Sequence, residues 1–258
     1  MNPTAPPMTL GTLYLIPNTL SGVDADIADP LAHIIPADVQ TLTASLDHFI
    51  AENAKTTRAF LKLIAVKNPL IKPLQEIQIA ELNINTPANA LPALLAPLLA
   101  GHDAGLISEA GVPAVADPGA NLVRLAHAHG VTVKPMVGPS SILLAVMASG
   151  LSGQSFAFNG YLPIDAGQRA KRIKELEERS RREQQTQLFI ETPYRNTPLL
   201  DTLVTTCHPA TLICVATDLT LTTESIQTQS AAKWKSDIKS GKAPDFNKKP
   251  TVFLLLAI

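Results

Sequence analysis

The residues best suited to chemistry lie in one loop, which reads SEAGVPAVADPG over residues 108–119. Gly111 and Gly119 can adopt positive φ or let a ligand approach the backbone closely, and the two prolines stiffen the loop at low entropic cost. Asp117 precedes an expected helix, where a carboxylate can cap backbone N–H groups. Twelve residues are more than an ordinary strand-to-helix connection needs. The loop is therefore predicted to bind a ligand, a plain connection being the alternative.

A second group of candidate residues follows a later apolar run. Glu191 and Arg195 are four residues apart, and they could orient an acceptor or form a structural ion pair. Tyr194 could stack on a base or have no role. Glu109, in the first loop, could serve as a base or as a loop-stabilising carboxylate. The six histidines and the two cysteines lack metal-ligand spacing, so no metal site is predicted.

The elements that must position these residues are short apolar runs alternating with helical periods, a pattern typical of α/β proteins. The expected strands cover residues 12–16, 105–108, 131–137, 156–161, 188–191, 211–217 and 251–258. The expected helices cover residues 44–66, 89–99, 121–129, 140–149, 168–183, 196–206 and 230–240. We expect two α/β domains, residues 1–136 and 137–258, with a ligand in the cleft between them.

The composition excludes several classes of protein. The 258 residues are 46% hydrophobic and 17% charged, which is too apolar for a disordered polyelectrolyte. Two cysteines exclude a disulfide scaffold and suit a reducing compartment. The first ten residues lack the basic and apolar regions of an export signal. Proline and glycine interrupt the two long uncharged stretches, residues 82–101 and 135–164, which predicts no membrane span. We expect a cytoplasmic protein.

Charge is unevenly distributed along the chain. Residues 1–130 carry a balance of −5 and residues 131–258 a balance of +4. Basic residues between 169 and 182 are interleaved with glutamates at helical spacing, which indicates a solvated helix face. A second basic group has few acidic neighbours and is the better candidate for phosphate contact, although it too could be a solvated face. Its members are Lys233, Lys235, Lys239, Lys242, Lys248 and Lys249.

Five motifs in a fixed order make the sequence similar to a known family. They are SEAGVPAVADPG (108–119), LVR (122–124), GPSS (138–141), ASGL (148–151) and GYLP (160–163). Together they resemble the class III S-adenosylmethionine-dependent methyltransferases of the tetrapyrrole methylase fold. The most similar branch is the ribosomal RNA small-subunit methyltransferase I family. Downstream, FIETPYR (189–195) and ATDLT (216–220) resemble two further motifs of that family.

The resemblance implies two α/β lobes that hold S-adenosylmethionine in the cleft between them, without a metal. It also implies a homodimer that methylates the ribose 2′-hydroxyl of a 16S ribosomal RNA cytidine, with Glu191, Arg195 and Glu109 as candidate catalytic residues. The candidate cofactor-binding residues are Pro17, Asn18, Ser108, Glu109, Ala110, Gly111, Val112, Asp117, Ser140, Ser141, Ile142, Tyr161, Leu162, Ala216, Thr217, Pro250 and Thr251.

Three segments depart from the family's motifs, two of them in the N-terminal quarter. The first expected strand ends in IPNTLSG (16–22) where the family has PTPIGNL, and AENAKTTR (51–58) stands where it has AEDTR. Near the C-terminus, ATDL (216–219) replaces AREL. Because these positions could read the acceptor, two alternatives stay open. One is a methyltransferase of a tetrapyrrole or another small molecule; the other is a non-catalytic protein that has kept the cofactor pocket.

Overall fold

The computed structural model describes residues 9–22, 29 and 31–258. The first eight residues, most of the segment assessed above for an export signal, lie outside this range. The chain divides into two compact units, the first ending at Pro139 and the second beginning at Ser140. Each unit has a five-stranded sheet among the described residues. None of the described helices has the length and apolar character needed to cross a membrane.

The first unit is built on a parallel sheet. Its strands are β1 (Thr12–Ile16), β2 (His48–Ala51), β3 (Gln78–Glu81), β4 (Ala104–Ile107) and β5 (Thr132–Pro135), in the order β3-β2-β4-β1-β5. Its helices are α1 (Ala37–Ala44), α2 (Ala54–Ile64), α3 (Leu91–Leu94), α4 (Ala96–Leu99) and α5 (Gly119–Ala128). Two single 3₁₀ turns are Leu74–Glu76 and Ala88–Ala90. Because every strand runs the same way, all carboxyl ends meet at one edge, where α/β proteins bind ligands.

Apolar side chains cover both faces of this sheet. Along β2, Phe49 packs in one core cluster with Phe60 of α2, while the next residue, Ile50, packs in another with Leu98 of α4. Alternation across a strand sends successive side chains to opposite faces. The central strand β4 is buried at every position, as expected of a parallel strand covered on both sides.

The prediction of one helix over residues 44–66 was wrong. This stretch holds the end of α1, the whole of β2 and all of α2. The apolar residues Leu46, Phe49 and Ile50 fit a helical period as well as a short buried strand, and periodicity alone cannot separate the two. The sequence does contain the break, because Asn53 caps α2 by accepting the N–H groups of residues 55 and 56.

Proline divides the helix expected over residues 89–99. Pro92 and Pro97 each lie in the first turn of a separate short helix, α3 and α4, with the break at Leu95. A proline removes a helical N–H and clashes with the preceding turn, so it is tolerated only at a helix start. The strands β3 and β9 and the helix α1 were not predicted. Both strands lie at sheet edges and lack a continuous apolar run.

The second unit has a mixed sheet. Its strands are β6 (Phe156–Tyr161), β7 (Thr186–Ile190), β8 (Leu212–Thr217), β9 (Ser225–Ser230) and β10 (Thr251–Leu256), in the order β6-β7-β10-β8-β9. Only the β6–β7 pair of this sheet is parallel. Its helices are α6 (Ser141–Ser149), α7 (Ala166–Glu183), α8 (Asn196–Thr206) and α9 (Ala231–Lys239), with a 3₁₀ turn at Pro193–Arg195. The core contains Trp234, whose indole N–H donates to the carbonyl of Ile213 at 2.9 Å.

The direction of β10 brings several loops to one edge of this sheet. The strand runs opposite to both of its neighbours, so its first residues meet the last residues of β7 and β8. Thr251 lies opposite Thr217, and Val252 lies opposite Ile190. The parallel strand β6 ends beside β7, with Tyr161 opposite Ile190.

Candidate functional site

In the first unit, the loop after β1 and the loop after β4 are joined by Asn18. Its backbone N–H donates to the carbonyl of Gly111 at 2.9 Å, and Gly111 donates in return to the carbonyl of Thr19 at 3.2 Å. The Asn18 amide also donates to the carbonyls of Ser108 at 3.1 Å and Glu109 at 3.2 Å. Asn18 is 5% exposed. These predicted residues therefore do lie together, and hydrogen bonds fix the backbone that they present.

Glu52 belongs to the same group of loops, although the sequence did not identify it. It follows β2 directly, and its Oε2 accepts the backbone N–H of Glu109 at 3.1 Å. The Glu109 residue itself is exposed. The available signal was the polar residue after the apolar run ending at Ala51, and it was hidden by the assignment of this stretch to a helix.

Asp117 shapes the loop that the sequence selected. Its carboxylate accepts the N–H of Gly119, the first residue of α5, at 2.7 Å and the N–H of Ala114 at 2.8 Å. The predicted capping role is therefore confirmed. Burial raises the pKa of the Asp117 carboxyl above its ordinary value. Ala114 and Ala116 have φ values of 65° and 62°, a left-handed conformation that costs a non-glycine residue energy, and the Asp117 contacts help to hold it.

The space beneath this loop is too small for a cofactor. A cavity of about 10 Å³ lies between Glu52, Asp117 and the end of β4, and this is about the space that one water needs. This cavity therefore cannot hold the ligand predicted for the loop.

Two glycines allow the loops to approach without side chains between them. Gly111 has φ +67°, and a Cβ there would lie 3.0 Å from Cδ2 of Leu20 and 3.3 Å from the carbonyl oxygen of Pro139. At Gly138, a Cβ would lie 2.2 Å from the Cβ of Pro17. Neither position has room for a larger residue unless the loops move.

In the second unit, predicted residues from four strands lie at the end of the sheet where β6, β7 and β8 finish and β10 begins. Thr217 ends β8 and Thr251 begins β10, and their hydroxyl oxygens are 3.3 Å apart. Tyr161, at the end of β6, is 58% exposed, whereas Leu162 and Ala216 are buried and can offer a ligand only backbone groups. The Ser140 hydroxyl caps α6 by accepting the N–H of Leu143 at 3.5 Å, with Ser141 and Ile142 in the first turn.

Glu191, directly after β7, forms the ion pair that the sequence left as one of two alternatives. Arg195 donates to its Oε1 through Nε at 2.9 Å and Nη2 at 2.5 Å. The N–H of Thr192 donates to the same oxygen at 2.7 Å. The Glu191 side chain is fully buried, while that of Arg195 is 28% exposed. Orientation of an acceptor by this pair stays a prediction.

Asn196 is a second residue that the sequence did not identify. It is fully buried at the start of α8, and its amide nitrogen donates to the carbonyls of Phe246 at 2.9 Å and Lys249 at 2.8 Å and to the Thr251 hydroxyl at 3.1 Å. An asparagine at a helix start resembles a simple cap, and nothing in the local sequence points to the loop 50 residues away.

Two members of the lysine group are engaged in ion pairs. Lys249 Nζ lies 3.2 Å from Oδ2 of Asp218, and Lys233 pairs with Asp237. The N–H of Asp218 also donates to the carbonyl of Pro250 at 3.0 Å, which ties the loops after β8 and before β10 together.

Other kinds of chemistry find little support in the described part of the chain. No group of three or more histidine, cysteine, aspartate or glutamate side chains within it could hold a metal ion. Burial raises the pKa of the Cys207 thiol to about 12, which leaves it protonated at neutral pH and unsuited to act as a nucleophile.

Comparison with known proteins shows the family. No family model matches the chain. It is 27% identical over 248 residues to the ribosomal RNA small subunit methyltransferase I of Xylella fastidiosa, which covers 96% of this chain and 81% of that protein. It is 30% identical over 236 residues to the protein of the same name from Vibrio cholerae, covering 88% and 76%. The chain belongs to this family.

As a member of the ribosomal RNA small subunit methyltransferase I family, the chain is a methyltransferase, which sets aside the non-catalytic alternative. The match that covers 96% of the chain also takes in the N-terminal quarter, where the motifs diverge. The solved structure of the methyltransferase CobJ matches with a TM-score of 0.60 and 16% identity, covering 96% of this chain and 94% of that one. The tetrapyrrole methylase fold predicted from the motifs is therefore confirmed.

Proposed function

We propose that this chain transfers a methyl group from S-adenosylmethionine to the ribose 2′-hydroxyl of a cytidine in the 16S RNA of the small ribosomal subunit. The observation that carries the proposal is the similarity of this chain, over most of its length, to relatives named as methyltransferases of small-subunit ribosomal RNA. The ribose hydroxyl and the cytidine come from the motif resemblance.

The residues at the two strand-end edges fit this methyl donor. Backbone groups and hydroxyls suit an adenosine and an amino-acid tail, and the bare backbone at Gly111 lets a ligand lie close. In the first unit we assign Pro17, Asn18 and residues 108–112 to the donor. In the second we assign residues 140–142, 161–162, 216–217 and 250–251. Asp117 would act by holding its loop in shape.

The chain's own residues would supply mainly positioning. The donor brings an electrophilic methyl carbon on a sulfonium, and alignment of an acceptor with that carbon gives most of the acceleration. Glu191 and Arg195 would orient the acceptor at the end of the second unit's sheet where β7 finishes. Glu109 is exposed, and its backbone N–H donates to Glu52. Its carboxylate would therefore serve as a base only for groups that reach the outer face of its loop.

The lysine group supports an RNA substrate. Lys235, Lys239, Lys242 and Lys248 take part in no ion pair within the described residues, so they are available to phosphates. Phosphate contacts of this kind weaken with added salt. By the resemblance to the family, we also propose a homodimer that needs no metal, and by the low cysteine content we propose a cytoplasmic location. A monomer in light scattering contradicts the dimer.

Replacing Asn18 with alanine should weaken donor binding. The change removes two hydrogen bonds that join the loops after β1 and β4, worth about 2 kcal/mol together. We expect about a tenfold loss of affinity for S-adenosylhomocysteine, measured by calorimetry. Asn121→Ala is the matched control, because the exposed Asn121 side chain accepts a hydrogen bond from Arg124 on the surface of α5. Equal affinities for the two variants contradict the assignment of Asn18.

Methyl transfer to purified ribosomal subunits tests the function directly. With labelled S-adenosylmethionine, we expect label on one ribose of small subunits taken from a strain without a family enzyme. Subunits from a strain that has one should take up none, because their acceptor is already methylated. If a tetrapyrrole extract is labelled and no RNA is, the RNA substrate is wrong and the acceptor is a small molecule.

A further inference from the structure

The hydrogen bonds of Glu191 are strongly uneven. The backbone N–H and the hydroxyl of Thr192 and two nitrogens of Arg195, Nε and Nη2, all lie 2.5 to 3.4 Å from Oε1. The other oxygen, Oε2, is shielded from solvent and has no hydrogen-bond donor among the residues that the structure describes. An arginine can bind both oxygens of a carboxylate, so this arrangement holds one oxygen and leaves the other open to a different partner.

A buried acceptor without a donor costs stability. Such atoms are rare in native proteins, where each asks for an explanation such as a catalytic role or an unseen partner. A second one is close by in the chain, since Oδ1 of the fully buried Asn196 also has no donor in the described part of the chain. These two buried acceptors, one directly after β7 and one at the start of α8, point to a ligand that brings O–H or N–H groups. The exposed part of Arg195 marks the side from which such a ligand would approach.

We propose that Glu191 is the general base of the methyl transfer, with Oε2 as the atom that takes the proton. This inference rests on the proposed function, because a ribose hydroxyl is the O–H donor. As the acceptor oxygen forms its bond to the methyl carbon, its proton passes to Oε2. The carbon–sulfur bond breaks, and its electron pair stays on the sulfur, which becomes a neutral thioether. Arg195 and Thr192, bound to Oε1, are positioning residues that hold the carboxylate in its orientation.

Glu191→Gln separates this role from a structural one. The amide oxygen can still accept the hydrogen bonds of Arg195 and Thr192, whereas the amide nitrogen in place of Oε2 cannot take a proton. We expect the single-turnover rate to fall about 100-fold or more. Affinity for S-adenosylhomocysteine and for small subunits should each stay within threefold of wild type. Glu177→Gln is the matched control, since Glu177 is also buried in this unit but binds the loop after α8 through the N–H of His208.

A second variant keeps the test informative if the glutamine chain does not fold. Glu191→Ala removes the carboxylate. Added formate should raise the single-turnover rate of this variant at least tenfold, while chloride at the same ionic strength should not raise it. A folded glutamine variant with a rate within threefold of wild type overturns the proposal, as does an alanine variant that formate does not rescue. If wild-type chain methylates no RNA, the proposed function fails first, and this inference fails with it.

Discussion

Gly111→Val should lower the affinity for S-adenosylhomocysteine at least about 100-fold while the chain stays folded. The residue has φ +67° and its Cβ would lie 3.0 Å from Leu20. A β-branched side chain is strained in that conformation, and it would push apart the two loops that exchange hydrogen bonds between residues 18–19 and 111. A 100-fold change is about 2.7 kcal/mol, within the range of that strain plus lost contacts.

Calorimetry of Gly111→Val beside Gly130→Val tests this prediction. Gly130 has φ +72° in the same unit, but it follows α5 at the opposite end of the sheet, and its Cβ would meet no atom within 4 Å. Both variants carry similar backbone strain, so both should lose some stability. Only the change at 111 should lose affinity. Unchanged affinity there would remove the loop after β4 from the binding site.

Asn196→Ala should lower the free energy of unfolding of the second unit by about 3 kcal/mol. The change removes the amide's hydrogen bonds to three acceptors, the carbonyls of Phe246 and Lys249 and the Thr251 hydroxyl, and each bond of this kind contributes about 1 kcal/mol. Freed from α8, the loop before β10 would lose its fixed position at the sheet edge. We therefore also expect weaker binding of S-adenosylhomocysteine.

Urea unfolding of Asn196→Ala beside Asn247→Ala measures this effect. Asn247 is exposed in the same loop, and surface changes of this kind usually stay within about 0.5 kcal/mol. A loss at Asn196 no larger than at Asn247 would mean that the buried amide does not hold the loop.

Much of the second unit could be predicted from the sequence. The strand Phe156–Tyr161 and the helix Asn196–Thr206 were expected at their observed bounds, because turn residues and a helical period mark their ends. In the first unit, β2 was missed since its three apolar residues, Phe49, Ile50 and Ala51, fit either a strand or a helix. The edge strands β3 and β9 were missed because their polar residues lack the pattern of a buried strand.

The candidate site was predictable in its loops but not in its contacts. The glycines and prolines of residues 108–119 mark a ligand-binding loop by composition alone. The contacts of Asn18, Glu52 and Asn196 join residues 90, 57 and 50 or more positions apart, and no local pattern encodes such pairs. The uneven hydrogen bonding of Glu191 depends on side-chain conformation, which spacing along the chain does not determine.

The position of β10 has a consequence for synthesis of the chain. This strand, Thr251–Leu256, is the last of the described strands and lies between β7 and β8. Until it emerges from the ribosome, the partners on either side present unpaired backbone to the crowded cell, and such edges invite association with other chains. In the first unit, the five described strands all precede residue 136, so they can pair before the second unit is synthesised. In a nascent chain stalled near residue 245, the first unit should therefore be folded, while the second unit should expose unpaired strands and associate with other chains.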